Sequence, residues 1–138
     1  MLKIAIRFLA LVLTMVLGEL HATNGVVVIG NANVQSLDVE TLEKIYTGRQ
    51  IQLGTVYVTP VNADTGNSVR DRFLQAFLRQ DEGKYTGYWR VRRSTGQGKP
   101  PREINKATDI IEFVRSTPGA IGYIGEDDLR PGVNVLLK

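Results

Sequence analysis

The run GVVVIGN, residues 25 to 31, most narrows what this chain can become. Four successive β-branched residues, Val26, Val27, Val28 and Ile29, stand between two glycines with no polar residue among them. A half-buried strand alternates apolar and polar positions, whereas an unbroken apolar run needs cover on both faces. The segment therefore reads as an interior strand of a sheet with other layers packed on it.

The following segments supply those layers. In QSLDVETLEKIYTG, Asp38 is placed to cap a helix, Leu37 and Leu42 are spaced as a hydrophobic staple, and Val39, Leu42, Ile45 and Tyr46 fall on one face. Gly48 stands where a left-handed C-terminal turn is expected. TVYVTPVN, residues 55 to 62, predicts a strand, and Pro60 lacks a ladder donor, which places it at an edge or at the strand's end. The next helix carries Val69, Phe73, Leu74, Phe77 and Leu78 inward and sets Arg70, Asp71, Arg72 and Gln75 on its wet face.

A short helix is expected around Tyr85 to Val91, and RRSTGQGKPPR after it as a long irregular loop, given its two glycines and Pro-Pro pair. NKATDIIEFVRSTPG predicts a helix capped near Asn105, with Ala107, Ile110, Ile111 and Val114 inward, stopped by Pro118 and Gly119. AIGYI and VNVLL predict two last strands, joined by an acidic turn or single helical turn at GEDDLRPG. Strands alternating with helices make this an α/β domain.

The chain opens with MLKIAIRFLALVLTMVLGELHA, in which Lys3 and Arg7 precede an apolar run and Ala22 offers a small residue for cleavage. Residues 1–22 are thus expected to be a secretory signal and residues 23–138 the single working domain of a periplasmic or otherwise exported protein. The apolar run is shorter than the roughly 20 residues that span a bilayer, so no stable membrane insertion is expected after cleavage. Losing Lys3, Arg7 and Glu19 takes the net charge from +3 to +2, too mild for a nucleic-acid binder.

Cysteine is absent and the single histidine, His21, precedes the expected cut, so disulfides, thiolate chemistry and a Ser-His-Asp arrangement are excluded from the working domain. Glu126, Asp127 and Asp128 lack the spaced oxygen ligands of a calcium loop, and no metal or other cofactor is expected. No residue set points to an enzyme.

Three segments, LDVETLEKIYTGR, VTPVNADTGNSVRDRFL and STPGAIGYI, in this order and at this spacing, resemble the periplasmic binding protein-like family of phosphate ABC transporter substrate-binding proteins. Thr117 to Tyr123 match that family's TPGAIGY residue for residue. The resemblance implies a single type II periplasmic-binding-protein-like lobe, a mixed β-sheet flanked by helices, standing alone where the full receptors close two lobes on phosphate. It also implies a solute-binding-like function. Where the family has Arg-Ser-Asp-Gly-Ser-Gly-Thr, this chain has Asn62, Ala63, Asp64, Thr65, Gly66, Asn67 and Ser68. The aspartate is kept, Ser68 stands for the threonine, and the phosphate-holding arginine and second serine have become Asn62 and Gly66.

Two readings of this loop stand side by side. Helix-start amides, a flexible glycine and the hydroxyls of Thr65 and Ser68 suit a small oxyanion such as phosphate, with Asn62 beside them and Asp64 orienting the loop or accepting a proton from the ligand. Alternatively Asp64, Asn67 or Ser68 simply caps the helix with those same amides. Two or three charge-assisted hydrogen bonds at about 1.5–3 kcal/mol each, set against at least about 4 kcal/mol for association, limit one exposed lobe to about millimolar affinity.

The densest charge feature is Arg90, Arg92, Arg93, Lys99 and Arg102, with no acid among them. They are candidates to complete the anion site or to dock an acidic envelope partner. The second function class is therefore an envelope protein-interaction module that keeps the fold and has lost the solute site.

Overall fold

The structure, a computed structural model, describes residues 24–138. The expected signal segment lies outside the described residues. Among the described residues no helix is long and apolar enough to cross a membrane.

The chain runs β1 (Val26–Gly30), α1 (Val39–Tyr46), β2 (Gln52–Leu53), β3 (Val56–Tyr57), β4 (Thr59–Ala63) and α2 (Ser68–Phe73), which continues as a π-helical turn over Leu74–Leu78. It goes on through α3 (Glu82–Ser94), β5 (Arg102–Ile104), α4 (Ala107–Ser116), β6 (Ala120–Gly125), a 3-10 turn at Glu126–Asp128 and β7 (Asn134–Leu137). Five strands form one sheet in the order β5-β4-β6-β1-β7, and β2 pairs with β3 as a separate short hairpin. β4 is parallel to both β5 and β6, while β1 is antiparallel to β6 and β7. The sheet is mixed and flanked by helices, an α/β fold.

The opening sequence feature behaves as its composition requires. All five residues of β1 are buried, and strands cover both of its edges. Successive residues of β6 point to opposite faces. A Cβ added at Gly122 would lie 2.9 Å from Ile110 and 3.2 Å from Val114, so α4 packs against that face of the strand. The Tyr123 ring stacks at 3.8 Å on Phe73 of α2, which covers the opposite face. Tyr46 of α1 joins this second layer, 4.8 Å from Phe73.

The local signals for α1 hold. Asp38 accepts the Thr41 N–H at 2.8 Å, and Gly48 takes φ +73 at the C-terminal turn. A Cβ at Gly48 would also press on Trp89 at 2.8 Å, so the bare backbone seats the indole. Pro60 sits near the start of β4, away from both sheet edges.

Four expectations are corrected. The predicted strand 55–62 is two strands, because Val56 and Tyr57 turn back to pair with Leu53 and Gln52. The third helix is longer than expected and takes in Arg92, Arg93 and Ser94, leaving a shorter loop before β5. The N-cap of α4 is Lys106 rather than Asn105, without a side-chain cap bond. Arg70, assigned to the wet face of its helix, is buried at 5% exposure.

Candidate functional site

β4 ends at Asn62 and Ala63, and the chain then turns through Asp64 to Asn67 into α2. Open α/β sheets place their ligand crevices outside the carboxyl ends of parallel strands, and this is such a place. A cleft of about 360 Å³ lies there, lined by Asn62, Thr65, Arg70, Tyr85, Thr86, Trp89, Arg90, Arg93, Pro100, Pro101 and Glu103.

The turn is tight, with one of its amides bonded within it and another to β5. Asn67 N–H donates to the Asp64 carbonyl at 3.0 Å, and Gly66 at φ +89 supplies the left-handed residue the turn needs. Asn67 is the N-cap of α2, accepting the Val69 N–H at 2.9 Å. Ser68 is the first helical residue, and its carbonyl accepts from Arg72 at 3.3 Å. Of the three capping candidates, Asn67 takes the role.

Arg70, buried one turn into that helix, is the centre of the site. Its Nε and Nη2 donate to the two carboxylate oxygens of Glu82 at 2.8 and 2.7 Å, a two-pronged pair. Its Nη1 donates to the Ala63 carbonyl at 3.1 Å and to Glu103 Oε1 at 2.7 Å. The guanidinium also lies 5.6 Å from the Tyr85 ring centre. Four hydrogen bonds and a ring face offset the cost of burying the charge.

Glu103 reaches the loop from the neighbouring strand. β5 lies beside β4 with Asn62 opposite Glu103, and the same Oε1 that meets Arg70 accepts the Thr65 amide at 3.0 Å and the Thr65 hydroxyl at 2.7 Å. The Thr65 hydroxyl and amide, with the charge of Arg70, hold this carboxyl below its ordinary value of 4.5 against the opposing effect of burial. A carboxylate favoured in the folded state stabilises the fold above that ordinary value and loses its contribution as pH falls through the lower folded value. The difference in urea midpoint between wild type and Glu103→Gln is therefore expected to be present at pH 7 and to vanish in acid; a difference that stays constant with pH would show that the charge is not what matters.

Asn62 has been drawn inward. It is 1% exposed, and its side chain donates to the Tyr85 hydroxyl at 3.1 Å and accepts from the Tyr123 hydroxyl at 3.0 Å. The Tyr123 hydroxyl in turn accepts the Ala63 N–H at 3.0 Å, and burial keeps this phenol well above its ordinary range and so protonated. Asn62 thus lines the cleft while its side chain is fixed at both ends.

The basic residues divide. Arg90 and Arg93 line the cleft. Arg92 lies instead over the Tyr88 and Trp89 rings at 5.6 and 5.7 Å and donates to the Gln97 carbonyl at 3.3 Å. Lys99 borders a neighbouring depression beside Gly48 and Ile51, and Arg102 rests over Phe113 at 5.4 Å. The expected cluster of five is therefore two cleft cations and three that serve elsewhere. Trp89, on α3, is buried in the core against Gly48.

Sequence reasoning missed Arg70, Glu82 and Glu103. One signal for Arg70 was available: it precedes Leu74 and Leu78 by four and eight residues, on the stripe already assigned inward. Nothing in the spacing marks either glutamate.

The fold is that of a periplasmic-binding-protein-like α/β lobe. Solved phosphate receptors share this fold. An ABC-type phosphate transport receptor from Vibrio cholerae superposes with a TM-score of 0.57 at 15% identity, over 81% of this chain and 45% of the receptor. A phosphate ABC transporter substrate-binding protein from Clostridium perfringens, solved with phosphate bound, gives 0.63 at 18% identity, over 81% and 44%. PstS from Borrelia burgdorferi gives 0.60 at 18% identity, over 82% and 46%. The chain spans less than half the length of each. No protein-family model and no curated protein matches it.

Proposed function

We propose that the chain is an exported solute-binding-like module that takes a small oxyanion, phosphate or a close relative, non-covalently and weakly in the cleft between the Asp64–Asn67 turn and α3. One observation carries the reading. Thr65, Arg90 and Arg93, three of the residues the sequence offered as anion contacts, line a single cleft with the buried Arg70 at the carboxyl end of β4. The likeness in fold to receptors named for phosphate supports the choice of ligand class. Export after cleavage near Ala22 belongs to the same reading.

The cleft is open and its strongest donors already have partners, so affinity stays near the millimolar range that one exposed lobe allows. Titrating the protein with phosphate by calorimetry or amide NMR is expected to give a dissociation constant of about 1 mM or weaker. A double Arg90→Ala, Arg93→Ala variant is expected to weaken it further. Absence of binding by ~10 mM phosphate would discard the reading.

A second reading, an envelope protein-interaction module, draws on one further observation. Val91 is 63% exposed on the same helix as Arg90 and Arg93, an apolar group among cations on a surface. Reading two gains only if the phosphate titration is silent.

A further inference from the structure

Glu103 does more than pair with an arginine. Three donors from two residues converge on one of its oxygens: the Thr65 amide, the Thr65 hydroxyl and Arg70 Nη1, at 3.0, 2.7 and 2.7 Å. Amide, hydroxyl and guanidinium aimed at one point are the parts from which proteins build holes for an anionic oxygen.

The parts of this hole are held by elements other than the one that fills it. Thr65 and Arg70 lie in the turn and helix after β4, whereas Glu103 arrives on β5. The turn is closed by its own Asn67-to-Asp64 hydrogen bond. Arg70 is oriented by both oxygens of Glu82 and by the Ala63 carbonyl, whatever accepts from the second hydrogen of Nη1. The Arg70 side chain is 6% exposed, while that of Glu103 is 45% exposed, so the filler is reachable from solvent and the donor behind it is not.

We propose that Glu103 is the resident occupant of an oxyanion cradle formed by Thr65 and Arg70, and that removing its carboxylate opens this cradle to a small carboxylate or to phosphate. The proposal deepens the oxyanion reading and rests on it for location. An external oxyanion competes with an internal one for the same three donors, and the like charge of Glu103 repels it. Glu103 thereby sets how weakly the natural protein binds.

Chemical rescue tests this. Sodium formate, sodium phosphate and, as an ionic-strength control, sodium chloride are titrated into wild type and Glu103→Ala while the thermal midpoint and the Thr65 amide resonance are followed. Formate is expected to raise the midpoint of the variant saturably and to shift its Thr65 amide, with no such response in wild type. Phosphate is expected to bind the variant at least roughly tenfold more tightly than wild type. Adding Thr65→Val to the variant is expected to abolish the formate response.

A folded variant that responds to formate no more than to chloride overturns the proposal. So does a wild type that binds phosphate as tightly as the variant, although the oxyanion reading then stands. Phosphate bound by the variant alone removes that reading for the natural protein and keeps the present one. Should Glu103→Ala fail to fold, Glu103→Gln keeps the shape and loses the charge; its amide oxygen still fills the cradle, so its phosphate affinity is expected to exceed that of wild type by a smaller factor, through the lost repulsion alone, and equal affinities overturn the proposal.

Discussion

Replacing Arg70 with alanine is expected to destabilise the fold by about 3–5 kcal/mol, the usual cost of removing one partner from a buried ion pair. Two carboxylates lose their common cation, and the Ala63 carbonyl loses its bond from Nη1. Glu82 and Glu103 have side chains 27% and 45% exposed and can rehydrate, which favours the lower end of the range. For a domain whose whole stability is about 5–15 kcal/mol this is a large fraction. Arg70→Lys keeps the charge but not the planar fork, so it is expected to recover less than half of the loss. Chemical denaturation of the three proteins checks this. A Lys variant as stable as wild type would show that charge alone, and not the four-bond geometry, holds this region together.

The second large effect is expected at Gly119, inside the motif on which the family resemblance leaned most. Gly119 has φ +77, and a Cβ there would overlap the Tyr57 carbonyl oxygen of the β2-β3 hairpin. Its N–H donates to Asn33 at 2.9 Å and its carbonyl accepts the Thr59 N–H at 2.9 Å, so the backbone has little room to move aside. Gly119→Ala combines about 1–2 kcal/mol of left-handed backbone cost with a collision against main chain, and a loss of more than about 3 kcal/mol is expected. Gly132→Ala is the internal control: φ is +84, yet nothing lies within 4 Å of the new Cβ, so only the backbone cost applies. Equal losses at the two positions, measured by urea midpoints, would refute the steric argument.

What the sequence disclosed depended on how local the determining contacts are. β1, α1 and α4 carry their own signals, an apolar run in one case and inward stripes at helical spacing in the others, and each is where the pattern placed it. β5 has three residues after a Pro-Pro pair and exists because β4 lies beside it, a neighbour some forty positions away in the chain. No window along the sequence contains that information. The hairpin strands, two residues each, are likewise too short to show a period.

The candidate site divides in the same way. The turn was legible and its N-cap narrowed to Asp64, Asn67 or Ser68, because Asn67 and Gly66 act on neighbours within three residues. The charge assembly was not, because Glu82 and Glu103 meet Arg70 across 12 and 33 positions. Counting five cations in one stretch gave no means of telling Arg90 and Arg93, on the cleft, from Arg92 and Arg102, which lie on aromatic rings.

β5 is an outermost strand, bonded to β4 along one side only and three residues long. Segments of this kind fray at a lower free energy than the centre of a sheet and exchange their amide protons accordingly. Glu103 rides on that segment, while Arg70, which grips it from behind, is buried. Each fraying of that sheet margin carries the carboxylate away from its donors, so the occupancy of the cleft is coupled to the local stability of its outermost strand.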